Sequence, residues 1–284
     1  MITKLKNIIP LALIIVFAVL PLVAGVGYAL LYSFGVIGVL NNGFTTQHWQ
    51  AIFATNEIIS RFFYTIFLSI ASIVLCVVSG LFLALFISKK LGKGFVAYVI
   101  YLPMAFPSVV AAFFFFQLLG NAGFLSRLFY HIGITNSISA FPDLVNDKLG
   151  IGIILAQLFL SLPVFVLLYL SLIVNENIDN LKLLAASLGA TKKQVLWQIT
   201  IPILFKKSFP TIVLFFIFKL GSYEIPLLLG RSNPETISVF IARKMQRFNL
   251  MDIPQGYAVA VLYAMMVFIL LSISLKVSKP MVNV

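Results

Sequence analysis

Six long apolar runs, separated by short polar or basic segments, leave this chain few ways to fold. They extend from Ile8 to about Phe34, from Phe62 to Ser88, Phe95 to Leu119, Ile151 to Val174, Ser208 to Leu229 and Gly256 to Leu275. A helix rises about 1.5 Å per residue, so about 20 residues cross a hydrocarbon layer about 30 Å thick. Inside lipid every backbone N–H and C=O must be satisfied within the segment, which makes helices of runs this long. Composition agrees, because 61% hydrophobic and 10% charged residues cannot coat a soluble domain of 284 residues. The expected fold is an all-α integral membrane protein with six transmembrane helices in one domain over residues 1–284. The first run exceeds the 7–15 residues of a signal-peptide core and is read as a retained span.

Basic residues orient the spans. Twelve Lys and Arg fall on one side (4, 6, 89, 90, 93, 182, 192, 193, 206, 207, 276, 279) and seven on the other (61, 127, 148, 231, 243, 244, 247). The richer side is cytoplasmic by the positive-inside rule, giving both termini inside. The net charge of +12 then belongs to loops beside anionic membrane lipid and does not call for nucleic acid. One outer loop, Gly230 to Gln255, runs against the bias with Arg231, Arg243, Lys244 and Arg247. It reads either as a docking surface for an acidic protein or as a solvated patch.

Enzymatic chemistry finds no footing. Cys76 is the only cysteine, so neither a disulfide nor a thiolate metal site forms within the chain. His48 and His131 stand apart from any acidic or thiol cluster. No glycine-rich phosphate loop with Lys and Ser/Thr is present, and no catalytic triad or carboxylate pair. If transport is driven by ATP, the nucleotide is held by another polypeptide, and this chain needs no cofactor.

The stretch Asn175 to Lys207 is too polar to span and too regular to be a linker. Leu181, Leu184, Ala185 and Leu188 share one face of a short helix that Asp179 or Asn180 caps and Gly189 ends. Leu183 lies about 200° from Leu181, on the face that should be wet, which suggests a partner surface. Thr191 and Gln194 have capping-box spacing, Val195, Leu196 and Ile199 continue an apolar face, and Pro202 closes a second short helix set at an angle.

This stretch resembles the cytoplasmic signature of permease subunits of binding-protein-dependent ABC importers: Glu-Ala-Ala, three residues, Gly, nine residues, Ile-x-Leu-Pro. Gly189, followed by Ala190, and Ile199, Ile201 and Pro202 fall at those spacings, and Ala185 matches the second alanine. Leu183 replaces the glutamate and Leu184 the first alanine. In that family this loop is the coupling helix that docks on the ATPase, and the lost glutamate removes one polar contact to that partner.

Two charges sit in the fifth run. Lys219 is about 15 Å from either end, beyond the reach of snorkelling, and at an insertion cost of about 2.5–3.5 kcal/mol it must face protein or water. Glu224 lies roughly 140° around the helix from it, and Gly221 and Pro226 favour unwinding between them. Pro226 has no N–H for the carbonyl of Ser222, which would lie near the Glu224 carboxylate. A buried tie between Lys219 and Glu224 is the purely structural reading. Residues Gly221 to Gly230, with Ser222, Tyr223 and Glu224, look like the fifth-helix segment of permeases in the polyamine branch of the family. There, this helix and the one carrying Pro103 and Pro107 flank the pathway.

The resemblance covers about Phe62 to Leu275, with residues 1–61 as a peripheral first helix and outer loop. It implies the type I ABC importer permease fold in the cytoplasmic (inner) membrane of a bacterium. The implied partners are a cytoplasmic ABC ATPase dimer, a second permease subunit and an extracytoplasmic solute-binding protein. The expected cargo is a polyamine-like organic cation met by Glu224. The alternatives are an oxyanion such as sulfate or molybdate, drawn by Lys219, or a self-sufficient secondary transporter.

Overall fold

The computed structural model describes residues 13, 15–39, 41, 43–54, 57–91 and 95–282, with backbone alone for 87–91, 96–97 and 277–282. Lys4, Lys6 and Lys93 of the charge count lie outside the described residues. The helices are α1 (Leu20–Ser33), α2 (Gln47–Phe53), α3 (Glu57–Leu91), α4 (Phe95–Tyr101), α5 (Ser108–Leu119), α6 (Phe124–His131) and α7 (Ile151–Asn175). They continue as α8 (Ile178–Ser187), α9 (Lys192–Gln194), α10 (Ile201–Leu220), α11 (Glu224–Leu229), α12 (Ile237–Gln246) and α13 (Asp252–Val282). Among the described residues six stretches are long and apolar enough to cross a membrane: Ile15–Ser33, Glu57–Phe86, Ser108–His131, Ile151–Asn175, Lys192–Leu220 and Asp252–Lys276.

Proline placement explains where the apolar runs break. A 3-10 turn at Leu102–Ala105 carries the buried Pro103, and Phe106 is extended before Pro107, as a residue preceding proline prefers. Helix α5 begins immediately after, so the third run is broken as its prolines require. Pro163 and Pro210 lie inside α7 and α10 without ending them. The fifth run differs from expectation. It is not one helix from Ser208 to Leu229: α10 stops at Leu220, its last turn closed by the Gly221 N–H on the Ile217 carbonyl and the Ser222 N–H on the Lys219 carbonyl, and α11 starts at Glu224.

The chain packs as two compact units. One comprises Met1–Ser60 and Ile237–Leu270. Within it Tyr32 and Tyr257 stack with ring centroids 4.4 Å apart, and Trp49 stacks on Phe34 at 5.5 Å. His48 is buried on α2, where desolvation lowers its pKa from the usual imidazole value. In the same unit Asp252 faces Lys244 and Arg247, and Lys244 also reaches Gln255 at 2.8 Å. Part of the basic loop over residues 230–255 is therefore neutralised internally, which neither sequence reading of that patch includes.

The other unit comprises Arg61–Thr236 and Leu271–Val284. It has two apolar clusters. Leu68, Phe115, Leu119, Ile153, Ile225 and Leu229 join α3, α5, α7 and α11. Ile73, Cys76, Phe165, Tyr169, Ile178 and Leu204 join α3, α7, α8 and α10. Helices α3 and α7 approach so closely at Gly80 that a Cβ there would lie 2.8 Å from the Phe165 Cβ. The segment before α7 holds α6 and a 3-10 turn and ends in a cap: the Asp147 carboxylate accepts the Leu149 and Ile151 N–H groups at 2.9 and 2.8 Å. A buried ion pair, Arg61 to Glu235 at 3.8 Å, completes this unit's charged interior.

Candidate functional site

Two places in the second unit gather the residues singled out by sequence. The first is the loop after α7. Asn177 turns the chain with φ +48°, a left-handed value asparagine tolerates better than most residues. Helix α8 then begins at Ile178 with no side-chain cap, so the expected cap by Asp179 or Asn180 does not form. Asp179 lies two residues past the cap position, Asn177, and pairs with Lys182 at 2.9 Å. The end of α8 is as expected. Gly189 adopts φ +85°, its N–H donates to the Ala186 carbonyl and the Ala190 N–H to the Ala185 carbonyl, both at 3.0 Å. That is a Schellman motif, satisfying carbonyls that the last turn would leave bare.

Thr191 and Gln194 form the complete capping box: the Thr191 N–H donates to Gln194 Oε1 at 2.8 Å and the Gln194 N–H to Thr191 Oγ1 at 3.3 Å. The helix that follows is not a separate element, however. It passes through a π-helical stretch, Val195–Thr200, directly into α10. Pro202 follows directly on the π-helical stretch inside this continuous helical run, and so does not end a helix there. Ile199 is half-buried and Pro202 exposed.

The apolar face of α8 also differs from the wheel. Ile178 and Ala185 are buried and Leu181 is half-buried, whereas Leu183, Leu184 and Leu188 are 69%, 62% and 88% exposed. The seam against the body is set by Ile178, Leu181 and Ala185, which rotates Leu184 and Leu188 outward. Beside them a groove of about 560 Å³ runs between the end of α3 and this loop, lined by Phe86, Lys182, Leu183, Ala190, Lys192 and Leu196 among others. Lys207 on α10 pairs with Glu176 at 3.1 Å, holding the two ends of the loop together.

The second place is the break between α10 and α11. Lys219 is 6% exposed, and its ammonium donates to the Gln157 carbonyl at 3.2 Å and to Ser161 Oγ at 3.0 Å, both on α7. Cys76 on α3 lies within hydrogen-bonding reach of Lys219 and Ser161. The tie to Glu224 that the purely structural reading would require is absent. Glu224 is half-buried at the start of α11, with no salt-bridge partner among the described residues. Tyr223 and Ser222 are half-buried in the break, and the Ser222 N–H donates to the Lys219 carbonyl at 3.2 Å.

Helix α11 packs on α5 and α7. That brings the helix of Glu224 beside the helix that Pro107 opens, with Pro107 itself exposed and accepting the Ala111 N–H at 3.0 Å. Sequence reasoning missed Gln157, Ser161, Ser72 and Cys76. The available signal was polar side chains one turn apart in two apolar runs, Ser72 with Cys76 and Gln157 with Ser161. Among the described residues no cluster of three or more His, Cys, Asp or Glu could hold a metal ion.

Comparison with known proteins places these features. The sulfate transport system permease protein CysT of Synechocystis sp. is 28% identical over 185 residues, covering 65% of this chain and 61% of that protein. The molybdenum transport system permease protein ModB of Mycobacterium tuberculosis is 29% identical over 164 residues, covering 57% and 58%. The chain thus spans about three fifths of the length of these curated relatives. They do not support the polyamine branch expected from Gly221 to Gly230. In fold, the chain matches a crystal structure of a bacterial ABC transporter involved in the import of the acidic polysaccharide alginate. The TM-score is 0.70 at 20% identity, over 98% of this chain and 96% of that one. Residues 77–282 match the family described as binding-protein-dependent transport system inner membrane component, and the chain belongs to that family.

Proposed function

We propose that this chain is the membrane-spanning permease subunit of an ATP-driven importer for a small oxyanion of the sulfate or molybdate kind. The observation that carries the cargo is the pair of relatives named for sulfate and molybdenum transport. The absence of a carboxylate beside Lys219 supports it, because a buried cation without a counter-charge favours an anionic ligand over a cationic one. The chain lies in a bacterial cytoplasmic membrane with both termini inside. It works with a second permease subunit, a cytoplasmic ATPase dimer and an extracytoplasmic solute-binding protein.

The ATPase docks on α8 through Leu183, Leu184 and Leu188, whose exposed side chains form the apolar surface a partner would cover. Closure of the ATPase dimer moves this loop as a rigid piece. The Schellman turn at Gly189, the Thr191 capping box and the Lys207–Glu176 pair keep it from deforming. The pathway runs beside α5, α10 and α11, with Pro107, Lys219, Ser222, Tyr223 and Glu224 along it.

The test is to purify the tagged chain with its ATPase, reconstitute the complex and add binding protein loaded with sulfate, molybdate or spermidine. Oxyanion-loaded protein should stimulate ATP hydrolysis and the spermidine preparation should not. Stimulation by spermidine alone, or a chain that retains no ATPase, would overturn the reading.

A further inference from the structure

Of the deeply set cations in the described chain, Arg61 faces Glu235 and Lys244 faces Asp252. Lys219 faces only neutral groups: a backbone carbonyl, the Ser161 hydroxyl and the Cys76 thiol. The polar groups around it are incompletely used. Ser72 Oγ and Gln157 Oε1 are buried and have no hydrogen-bond partner. Ser72 is one turn from Cys76 on α3 and Gln157 one turn from Ser161 on α7, which puts both orphaned groups about one helical turn from side chains that meet the ammonium. An ammonium, two hydroxyls and a carboxamide, with no carboxylate among them, are a donor set suited to a tetrahedral oxyanion.

The cluster is closed as it stands, and its position says how it opens. Lys219 is the second residue before Gly221, where α10 ends, and α11 begins only at Glu224. Movement of α10 away from α7 breaks the two Lys219 hydrogen bonds and exposes the ammonium with Ser161, Ser72 and the Gln157 side chain.

Resting on the oxyanion reading above, we propose that Lys219, Ser161, Gln157 and Ser72 form a transient binding site for a small inorganic oxyanion. The site is sealed when α10 lies on α7 and loaded when they part. Lys219 supplies the charge, the two hydroxyls donate, and Gln157 turns its amide nitrogen inward.

Cys76, the only cysteine in the chain, is a built-in reporter of this site. The reconstituted complex, with cysteine-free ATPase and binding protein, is treated with an anionic or a cationic methanethiosulfonate, at rest and during ATP turnover. At rest Cys76 should resist both reagents. During turnover it should react, with a preference of roughly tenfold for the anionic reagent, the size of effect that focused charge produces on local ion concentration. Sulfate or molybdate should slow the reaction, and chloride at equal ionic strength should not. Lys219→Gln should abolish the charge preference and lower sulfate uptake, and Ser161→Ala should weaken the protection by sulfate a few-fold.

A Cys76 that stays unreactive through turnover, labelling indifferent to sulfate, or wild-type uptake by Lys219→Gln would overturn the site. If Lys219→Gln fails to assemble, the charge preference and sulfate protection of the unaltered chain still decide. If the unaltered chain carries neither oxyanion, the functional reading fails and the site falls with it. If it carries them while Lys219→Gln does too, only the site fails.

Discussion

The turn that follows α7 and the break that separates α10 from α11 both interrupt apolar helices, yet they are held in different ways. At the turn the hydrogen bonds that shape the backbone are local. Gly189 bonds back three residues, Ala190 five, and Thr191 and Gln194 satisfy each other across three. At the break the decisive contact is remote, since Lys219 finds its acceptors 58 and 62 residues away on α7. A locally closed motif transmits a push without deforming. A break whose charge is borrowed from a neighbouring helix comes undone when that neighbour moves. The first suits a docking element and the second suits a gate.

The sharpest way to break this contrast is at Gly189. A Cβ there would meet nothing within 4 Å, so its φ of +85° is the whole difficulty. Gly189→Val should cost about 1–2 kcal/mol of local strain, misplace α8, and abolish ATPase retention while leaving the protein inserted. Gly189→Asn, which tolerates that conformation, should retain most coupling. Equal loss in both variants would mean that space, not backbone conformation, matters there. A smaller effect is expected from Leu184→Ser with Leu188→Ser. Both side chains are exposed, so the chain should remain as stable as before while affinity for the ATPase, measured by titration in detergent, falls about tenfold or about 1.4 kcal/mol. Loss of the folded protein would instead mean that these leucines pack internally.

Thr191→Ala removes the capping box and should cost about 1 kcal/mol of local helix stability, read as faster amide exchange at Gln194 and Val195 with Lys219 undisturbed. The smallest effect belongs to His48, which lies in the other unit and serves as a control for both regions. Burial lowers its pKa, so the unfolded chain binds the proton more readily. Stability should be complete above the unfolded value of about 6.5 and decline as pH falls from there through the lowered native value. His48→Gln should flatten that decline in thermal melts without altering ATPase coupling.

The same contrast governs how much the sequence discloses. Six apolar runs give six candidate spans because lipid leaves the backbone no other choice. Pro103 and Pro107, Gly189 and Thr191 act through their own covalent chemistry and so are readable in place. The exposure of Leu184 and Leu188 is not readable, because the helical wheel does not say which part of an apolar stripe the neighbouring helices will cover. Nor is the partner of Lys219. Its spacing from Glu224 leaves a tie open only if the helix unwinds, whereas burial against α7 satisfies it through a carbonyl and a hydroxyl that carry no charge signal in the sequence. The polyamine expectation, which the relatives do not support, rests on Glu224 read as a lone carboxylate in a cavity. Glu224 is a half-buried residue at the head of α11.

The most direct measurement is solute uptake by vesicles containing the complete complex, with radiolabelled sulfate, molybdate and spermidine offered through their binding proteins. The expected result is ATP-dependent uptake of an oxyanion. Spermidine should not accumulate. Uptake of spermidine, lost with Glu224→Gln and indifferent to sulfate, would contradict the oxyanion assignment and restore the cation reading.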